Sequence, residues 1–129
     1  MNEINLPDVL SEMTAVFLRY ERALAGNDVA TLNELFWDSP HTIRYGVGEQ
    51  LYGHGEIASF RAARTTADLQ RELTRVVITT FGRNYATASC EYRRIESGRR
   101  GRQMQTWLRT PQGWRVVGAH VSLLPAAGA

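Results

Sequence analysis

The sequence predicts a single domain, residues 1–129, of the α+β class, with three helices packed on a curved, mainly antiparallel β-sheet. Two observations lead to this fold class. Apolar residues recur with a helical period in the first half of the chain, whereas four runs rich in β-branched and aromatic residues follow residue 71. Short polar or glycine-containing turns separate those runs, and such turns join antiparallel neighbours. Helices followed by a meander of strands place the helices on one face of the sheet.

The first two helices are marked by the residues at their ends. Pro7–Asp8 opens the first helix, because proline is tolerated in a first turn and an acid there complements the helix dipole. Gly26–Asn27 ends it, because these residue types accept the left-handed backbone of a helix C-terminus. Asp28 can cap a second, shorter helix, which ends at Asp38–Pro40.

A third helix is predicted from Ile57 to about Thr66. Its spacing places Arg61 and Arg64 on the same face as the apolar Ile57 and Phe60. Arginine is unusual on an apolar face, so these two side chains either point into a pocket or extend past its rim. We favour the second arrangement for at least one of them.

The sheet is predicted to contain two short strands and four long ones. The short strands, His41–Tyr45 and Gln50–Tyr52, form a small hairpin bounded by glycines. Both faces of the last long strand are apolar, so each face needs a cover. The helices cover one face, and we expect a second copy of the chain to cover the other, giving a homodimer through the outer sheet surface. The long strands are predicted at Glu72–Phe81, Tyr85–Ile95, Gln103–Arg109 and Trp114–Leu124.

Composition excludes several functional classes. The net charge of +2 is too small to indicate a nucleic-acid partner, and the basic stretch at residues 93–102 is typical of a solvated hairpin tip. All fifteen basic residues are arginine, which excludes Schiff-base chemistry and a P-loop lysine. No apolar run is long enough to cross a bilayer. With one cysteine, Cys90, and no visible secretory leader, we expect a cytoplasmic protein.

Arg44 is the first candidate for contact with an anionic ligand. In an extended segment it shares one face with Thr42, within an otherwise apolar run. Burying a guanidinium is costly unless a negative group meets it. The nearest acids in sequence, Asp38 and Glu49, are not obviously placed as its partner. The alternatives are an arginine at a strand edge with its head in water, or one paired with a distant carboxylate.

Three other polar side chains suggest a pocket. His120 and Ser122 share one otherwise apolar face of the last strand, which suits one end of a pocket, unless the histidine is hydrogen-bonded in the core and the serine lies at the rim. Tyr20 lies on the apolar stripe of the first helix, and its hydroxyl either reaches the surface or enters the cavity between helix and sheet. A phenol is protonated at neutral pH, and a neighbouring arginine makes it a better proton donor.

Metal and cofactor motifs are absent from the sequence. The three histidines, His41, His54 and His120, have no spacing typical of a zinc site. Cys90 has no predicted helix terminus beside it to activate the thiol. No glycine-rich phosphate loop follows a strand. We therefore expect neither a metal nor a cofactor.

The assembled pattern resembles a known family. The order of helices and strands resembles the NTF2-like cone, which includes the SnoaL-like proteins. Four segments resemble the AtzH-like proteins more specifically, also known as HpxZ, within a similarity that runs from about Leu6 to Leu124. These segments are FWDSPHTIRYGVGEQLYG (36–53), FRAAR (60–64), RQMQTW (102–107) and GWRVVGAHVSL (113–123).

The resemblance implies an enzyme of ureide nitrogen catabolism that works alongside an amidase. The activity it implies is that of a decarboxylating amidohydrolase, which converts 1,3-dicarboxyurea to allophanate. The family's two essential residues match Tyr20 in FLRYERAL and Arg44 in HTIRYG. We expect Arg44 to anchor the small anionic substrate and Tyr20 to protonate the departing nitrogen. The residues expected to bind the substrate beside them are Arg61, His120, Ser122, Gln105 and Trp37.

Two other functions use the same fold. A non-catalytic dimer could bind small anions and partner an amidase, in which case it would associate tightly with the amidase without turnover of its own. An isomerase or cyclase would need a carboxylate base in a large apolar pocket, and Asp38 is the only acid near a suitable place. An arginine-lined pocket suits small anions better than it suits the substrate of an isomerase or cyclase.

Overall fold

The computed structural model of the protein describes residues 3–126. One six-stranded sheet carries three helices on one of its faces, which confirms the predicted α+β class. The helices are α1 (Pro7–Ala25), α2 (Val29–Leu35) and α3 (His54–Ala63). The strands are β1 (Ile43–Tyr45), β2 (Gln50–Tyr52), β3 (Arg71–Phe81), β4 (Tyr85–Arg94), β5 (Arg100–Thr110) and β6 (Gly113–Leu123).

The strand order in the sheet is β2-β1-β6-β5-β4-β3. β1 runs parallel to β6, and the other neighbouring pairs are antiparallel. The parallel pair lets the short β1–β2 hairpin extend the sheet beside the last strand, so that Arg44 lies opposite Ala119. The core between sheet and helices includes Met13, Phe17, Leu32, Phe36, Ile57, Trp107 and Val116.

The helix ends follow the sequence signals, except that α2 stops at Leu35, before the predicted Asp38–Pro40, and that α3 is displaced. The N–H of Gly26 donates to the Arg22 carbonyl at the end of α1, and the Asp28 carboxylate accepts the Thr31 N–H at the start of α2. α3 begins before the predicted Ile57 and stops at Ala63. Arg64 therefore follows the helix with an extended backbone, which turns its side chain toward the space between α3 and the sheet.

β6 contains a bulge that the alternation argument did not foresee. Trp107 of β5 pairs with Val116, whereas the next pair along β5 is Thr106 with Gly118. Val117 is therefore an extra residue in β6. A single extra residue exchanges the inward and outward faces for the rest of the strand.

The bulge places His120 and Ser122 on the outer face of the sheet. His120 is exposed and pairs with the exposed Met104, and Ser122 pairs with the exposed Arg102. The prediction that His120 and Ser122 point into the pocket is therefore wrong. The prediction assumed that every second residue after the buried Trp114 faces inward, and this assumption fails because the bulge lies between Trp114 and His120.

The outer face carries exposed apolar groups around His120. The His120 ring centre lies 5.6 Å from the Tyr45 ring centre. Ile43 and Met104 line the same shallow depression as these two rings. The homodimer through this surface stays a prediction. No helix in the described part of the chain is long and apolar enough to cross a membrane.

Gly101 gives a test of the close packing between β4, β5 and β6. A Cβ at this position would lie 2.4 Å from both the Ser122 carbonyl oxygen and the Tyr92 ring. Because backbone cannot yield as a flexible side chain does, we expect Gly101→Ala to lower the free energy of unfolding by about 1–3 kcal/mol. Thermal or urea denaturation measures the change. Gly118→Ala is the matched control, since its Cβ meets nothing within 4 Å, and equal losses in both variants would contradict the packing argument.

Candidate functional site

A cleft of about 220 Å³ lies between the C-terminal half of α1, the β1–β2 turn, the segment after α3 and the inner face of the sheet. This volume suits a small molecule rather than a large apolar substrate. Asp38, the base that an isomerase of this fold would need, is exposed and does not line the cleft. The polar side chains that line it include Tyr20, Arg44, Glu49, Arg64, Asp68, Arg71, Arg94 and Gln103.

Three of the arginines around the cleft are neutralised by carboxylates. The innermost pair is bidentate: Arg71 Nε and Nη2 donate to the two oxygens of Glu21, and Nη2 also donates to Gln103 Oε1. Such fork-to-fork pairs fix the guanidinium plane as well as its charge. The pairs are Arg44–Glu49 (2.9 Å), Arg71–Glu21 (2.7 Å) and Arg94–Asp68 (3.5 Å).

Two further arginines have no carboxylate partner within residues 3–126. Arg61 is 1% exposed, and its Nε, Nη1 and Nη2 are all buried without a hydrogen-bond acceptor. Arg64 lines the cleft, and its Nε and Nη2 are also buried without one. The Arg61 guanidinium carbon lies 4.3 Å from the centre of the Phe36 ring, a cation–π contact that offsets only part of the desolvation. The site therefore carries a surplus of positive charge.

The surplus charge persists at neutral pH. Burial lowers the pKa of Arg61 to about 10, against the opposing effect of the Tyr20 phenol, and the Arg44 and Arg64 cations lower it further. Burial and the neighbouring Arg44 also lower the pKa of Arg64. Both groups remain cationic at pH 7, and an anion entering the cleft would relieve the repulsion among the three arginines.

Tyr20 lies between the buried Arg61 and the cleft. Its ring is 4% exposed and packs against Phe36 and Trp107, with ring centres 6.3 and 6.4 Å away. Tyr20 is almost fully buried and lines the cleft, which favours the cavity over the outer surface as the location of its hydroxyl. The phenol is close enough to Arg61 to raise the pKa of that group, although no hydrogen bond of ordinary geometry joins the two. A phenol in contact with an unpaired cation is well placed to donate a proton.

Arg44 faces inward, as predicted, but it has a carboxylate partner. Its Nη1 donates to Glu49 Oε1 across the β1–β2 turn, and its guanidinium carbon lies 5.3 Å from the Phe60 ring centre. The expectation that neither nearby acid would meet Arg44 is therefore wrong. Gly46 explains the pairing, because a Cβ there would lie 1.6 Å from the Glu49 carboxylate. The absence of a side chain at Gly46 lets Glu49 fold back onto Arg44.

The other predicted binding residues divide between the inside and the outside of the fold. Arg61 points into the interior and does not extend past the rim of the pocket. Gln105 is buried on the inner face of β5. Trp37 is not part of the cleft: it lines a separate depression beside His54 and stacks on His41, with ring centres 6.4 Å apart. His120 and Ser122 lie on the outer face, as the bulge requires.

Sequence reasoning missed Gln103 and the Glu21–Arg71 pair. Gln103 lines the cleft two positions before Gln105, and their shared strand phase is a signal that could have identified it. Glu21 and Arg71 are fifty positions apart in the chain, and no local pattern indicates that they meet.

Neither a metal cluster nor an activated thiol is found in the part of the chain that the structure describes. No group of three or more His, Cys, Asp or Glu residues among residues 3–126 is arranged to hold a metal ion. Cys90 is buried on the inner sheet face, where burial raises the pKa of its thiol. A raised pKa disfavours the thiolate, so Cys90 is a packing residue here.

Solved structures with the same fold come from several bacteria. A protein of unknown function from Pectobacterium atrosepticum, of the DUF3225 family, is 56% identical over 95% of both chains, with a TM-score of 0.92. A cystatin-like fold protein from Burkholderia xenovorans is 43% identical over 97% of this chain and 100% of the other, with a TM-score of 0.91. An NTF2-like superfamily protein from Salmonella enterica is 26% identical over 95% of both chains, with a TM-score of 0.75.

The sequence comparison agrees with the structural one. No protein with curated annotation matches the chain. The sequence profile of the AtzH-like family matches residues 2–127, which is nearly the whole chain. The fold, with three helices over one face of a six-stranded sheet, is that of the NTF2-like superfamily. The chain therefore belongs to the AtzH-like family.

Proposed function

We propose that the protein is an enzyme that removes carbon dioxide from an N-carboxylated urea, converting 1,3-dicarboxyurea to allophanate. The observation that supports this most directly is the surplus positive charge of Arg61 and Arg64 around Tyr20. A small cleft with unpaired guanidinium groups favours a small anion with carboxylate oxygens. Membership of the AtzH-like family supports the same substrate class.

Charge complementarity governs substrate binding. The substrate carries two carboxylates, and two guanidinium groups that line the cleft, those of Arg44 and Arg64, can each bind one of them. Arginine is suited to this role because its planar fork matches a carboxylate with two parallel hydrogen bonds. Arg64 is available as it stands, whereas Arg44 first has to release Glu49.

Glu49 acts as an internal substitute for the substrate carboxylate. It keeps Arg44 oriented and neutralised before binding, and its side chain lies at the mouth of the cleft with 24% of its surface exposed. An incoming carboxylate takes its place on Arg44, and Glu49 then moves into solvent. The number of ion pairs stays constant in this exchange. The Arg44 guanidinium is therefore never buried without a carboxylate partner.

Tyr20 supplies the proton in the chemical step. The bond between nitrogen and the carboxylate carbon breaks, carbon dioxide leaves, and the electron pair stays on nitrogen. The Tyr20 hydroxyl protonates that nitrogen, and the phenolate that forms is stabilised by the adjacent Arg61 cation. Water entering through the mouth of the cleft returns the proton to Tyr20. Arg61 acts through Tyr20 in this scheme, because it lies behind the residues that line the cleft.

Tyr20→Phe tests the proton transfer. The substitution removes one hydroxyl and preserves the packing against Phe36 and Trp107, so we expect kcat to fall by about 10²–10⁴-fold while KM changes little. Release of carbon dioxide and formation of allophanate from 1,3-dicarboxyurea measure turnover. Tyr92→Phe is the matched control: Tyr92 also lines the cleft, but its hydroxyl donates to the Ser122 carbonyl. Full activity of Tyr20→Phe would exclude the mechanism.

Arg44→Ala and Glu49→Gln test the exchange of carboxylates. Arg44→Ala removes an anchor of the substrate and should abolish detectable turnover with the fold intact. Glu49→Gln removes the competing carboxylate without changing its shape, so we expect KM to fall by about tenfold with kcat retained. A higher KM in Glu49→Gln would show that Glu49 assists binding instead.

If the wild-type protein shows no turnover, its association with an amidase tests the accessory role. Stoichiometric association with an amidase, together with no release of carbon dioxide from 1,3-dicarboxyurea, would favour the accessory role over catalysis. Circular dichroism of each variant, compared with the wild type, excludes loss of fold as the cause of lost activity.

A further inference from the structure

Around the cleft, the buried side-chain atoms without a hydrogen-bond partner share one chemical property, whereas elsewhere in residues 3–126 such atoms include the oxygens of Asn27, Asn33 and Thr80. Four side chains contribute such atoms around the cleft, and each atom is a nitrogen that bears hydrogen. They belong to the guanidinium groups of Arg61 and Arg64 and to the amides of Gln103 and Gln105. Buried donors without acceptors are costly, so a ligand that supplies only acceptors is strongly favoured at this place.

The orientation of the two amides is fixed by groups that can only donate. Arg71 Nη2 donates to Gln103 Oε1 at 3.1 Å, and Trp107 Nε1 donates to Gln105 Oε1 at 3.0 Å. A flipped amide would place its NH2 group against a donor in either case. Each glutamine therefore keeps its oxygen engaged and its Nε2 free.

The support behind Gln103 is rigid. Arg71 is held by the bidentate Glu21 carboxylate, and its guanidinium carbon lies 4.4 Å from the centre of the Tyr92 ring. Gln103 is 5% exposed and lines the cleft, and Gln105 repeats the arrangement one step deeper on the same strand face. When the position of an amide and the placement of its oxygen and nitrogen are both fixed, the amide discriminates between acceptor and donor groups on a ligand.

We propose that Gln103, supported by Gln105, is a specificity residue that admits carboxylate groups into the cleft and rejects carboxamides. This inference rests on the proposed function, in which an anion occupies the cleft. It adds a consequence for the reaction. The substrate end that loses carbon dioxide changes from –NH–COO⁻, which offers acceptors at its tip, to –NH2, which offers donors. The unpartnered donors of Arg64 and Gln103 hold the first and repel the second, so decarboxylation itself promotes release of the product.

Malonate and malonamate are suitable probes, because they have the same number of heavy atoms and differ by one carboxylate against one carboxamide. We expect the wild type to bind malonate at least about tenfold more tightly than malonamate in isothermal titration calorimetry. Gln103→Met removes the donor and should reduce that ratio by about tenfold or more. Gln103→Glu keeps the oxygen that accepts from Arg71 and replaces the Nε2 donor with an acceptor, so it should reduce the ratio further.

Two controls complete the series. Gln112→Met changes an exposed glutamine in the β5–β6 turn and should leave the ratio unchanged. Trp107→Phe removes the donor that fixes Gln105 and should weaken discrimination without altering a residue that lines the cleft; unfolding of this buried variant would not affect the test at Gln103. An unchanged ratio in both Gln103 variants, with malonate binding and turnover of 1,3-dicarboxyurea intact, would overturn the inference and leave the proposed function standing. Absence of malonate binding and of turnover in the wild type would overturn both.

Discussion

Positive charge buried without a matching carboxylate is the constraint on which the rest of this structure depends. Arg61 is almost fully removed from water, and none of its nitrogens meets an acceptor within residues 3–126. Isolated buried charge is unfavourable by several kcal/mol even after relaxation, so it persists only where surrounding structure enforces it. α3 enforces it here, because the buried Ile57, one turn before Arg61 on the same face of the helix, anchors that face against the core and directs Arg61 inward.

The neighbouring ion pairs show how the fold contains that charge. Arg71 and Arg94 are neutralised by Glu21 and Asp68, so their positive charge does not add to that of Arg61. Arg44 is neutralised by Glu49, and the proposed mechanism requires this pair to open when the substrate binds. The interior thus combines three ion pairs with two cations that have no carboxylate partner within residues 3–126. A purely structural charge network leaves its charges paired, so the two unpaired cations favour a functional role for the cleft.

The position of Tyr20 connects this electrostatic arrangement to chemistry. Its ring packs on Phe36, and the same phenylalanine carries the Arg61 guanidinium. A single aromatic ring therefore positions both the proton donor and the cation that stabilises its conjugate base. Gln103 and Gln105 on the facing strand add fixed hydrogen-bond donors to the positive charge of Arg61 and Arg64. Preorganised polarity of this kind stabilises developing negative charge without further reorganisation of the protein.

The sequence by itself determined the class of fold, the three helices, the short hairpin and the four long strands, because these follow from local periodicity and from residues that end helices or form turns. It also singled out Arg44 as a candidate for the pocket, because a guanidinium in an apolar strand needs a negative partner, but it left open which face of the strand is buried. Only the tertiary structure decided the partners. The bulge at Val117 exchanged the faces of β6 and moved His120 and Ser122 outward, and a bulge leaves no clear mark in an apolar strand. The pairing of Arg44 with Glu49, and of Glu21 with Arg71, depends on backbone geometry at a turn and on distant segments meeting, which no pattern along the chain encodes.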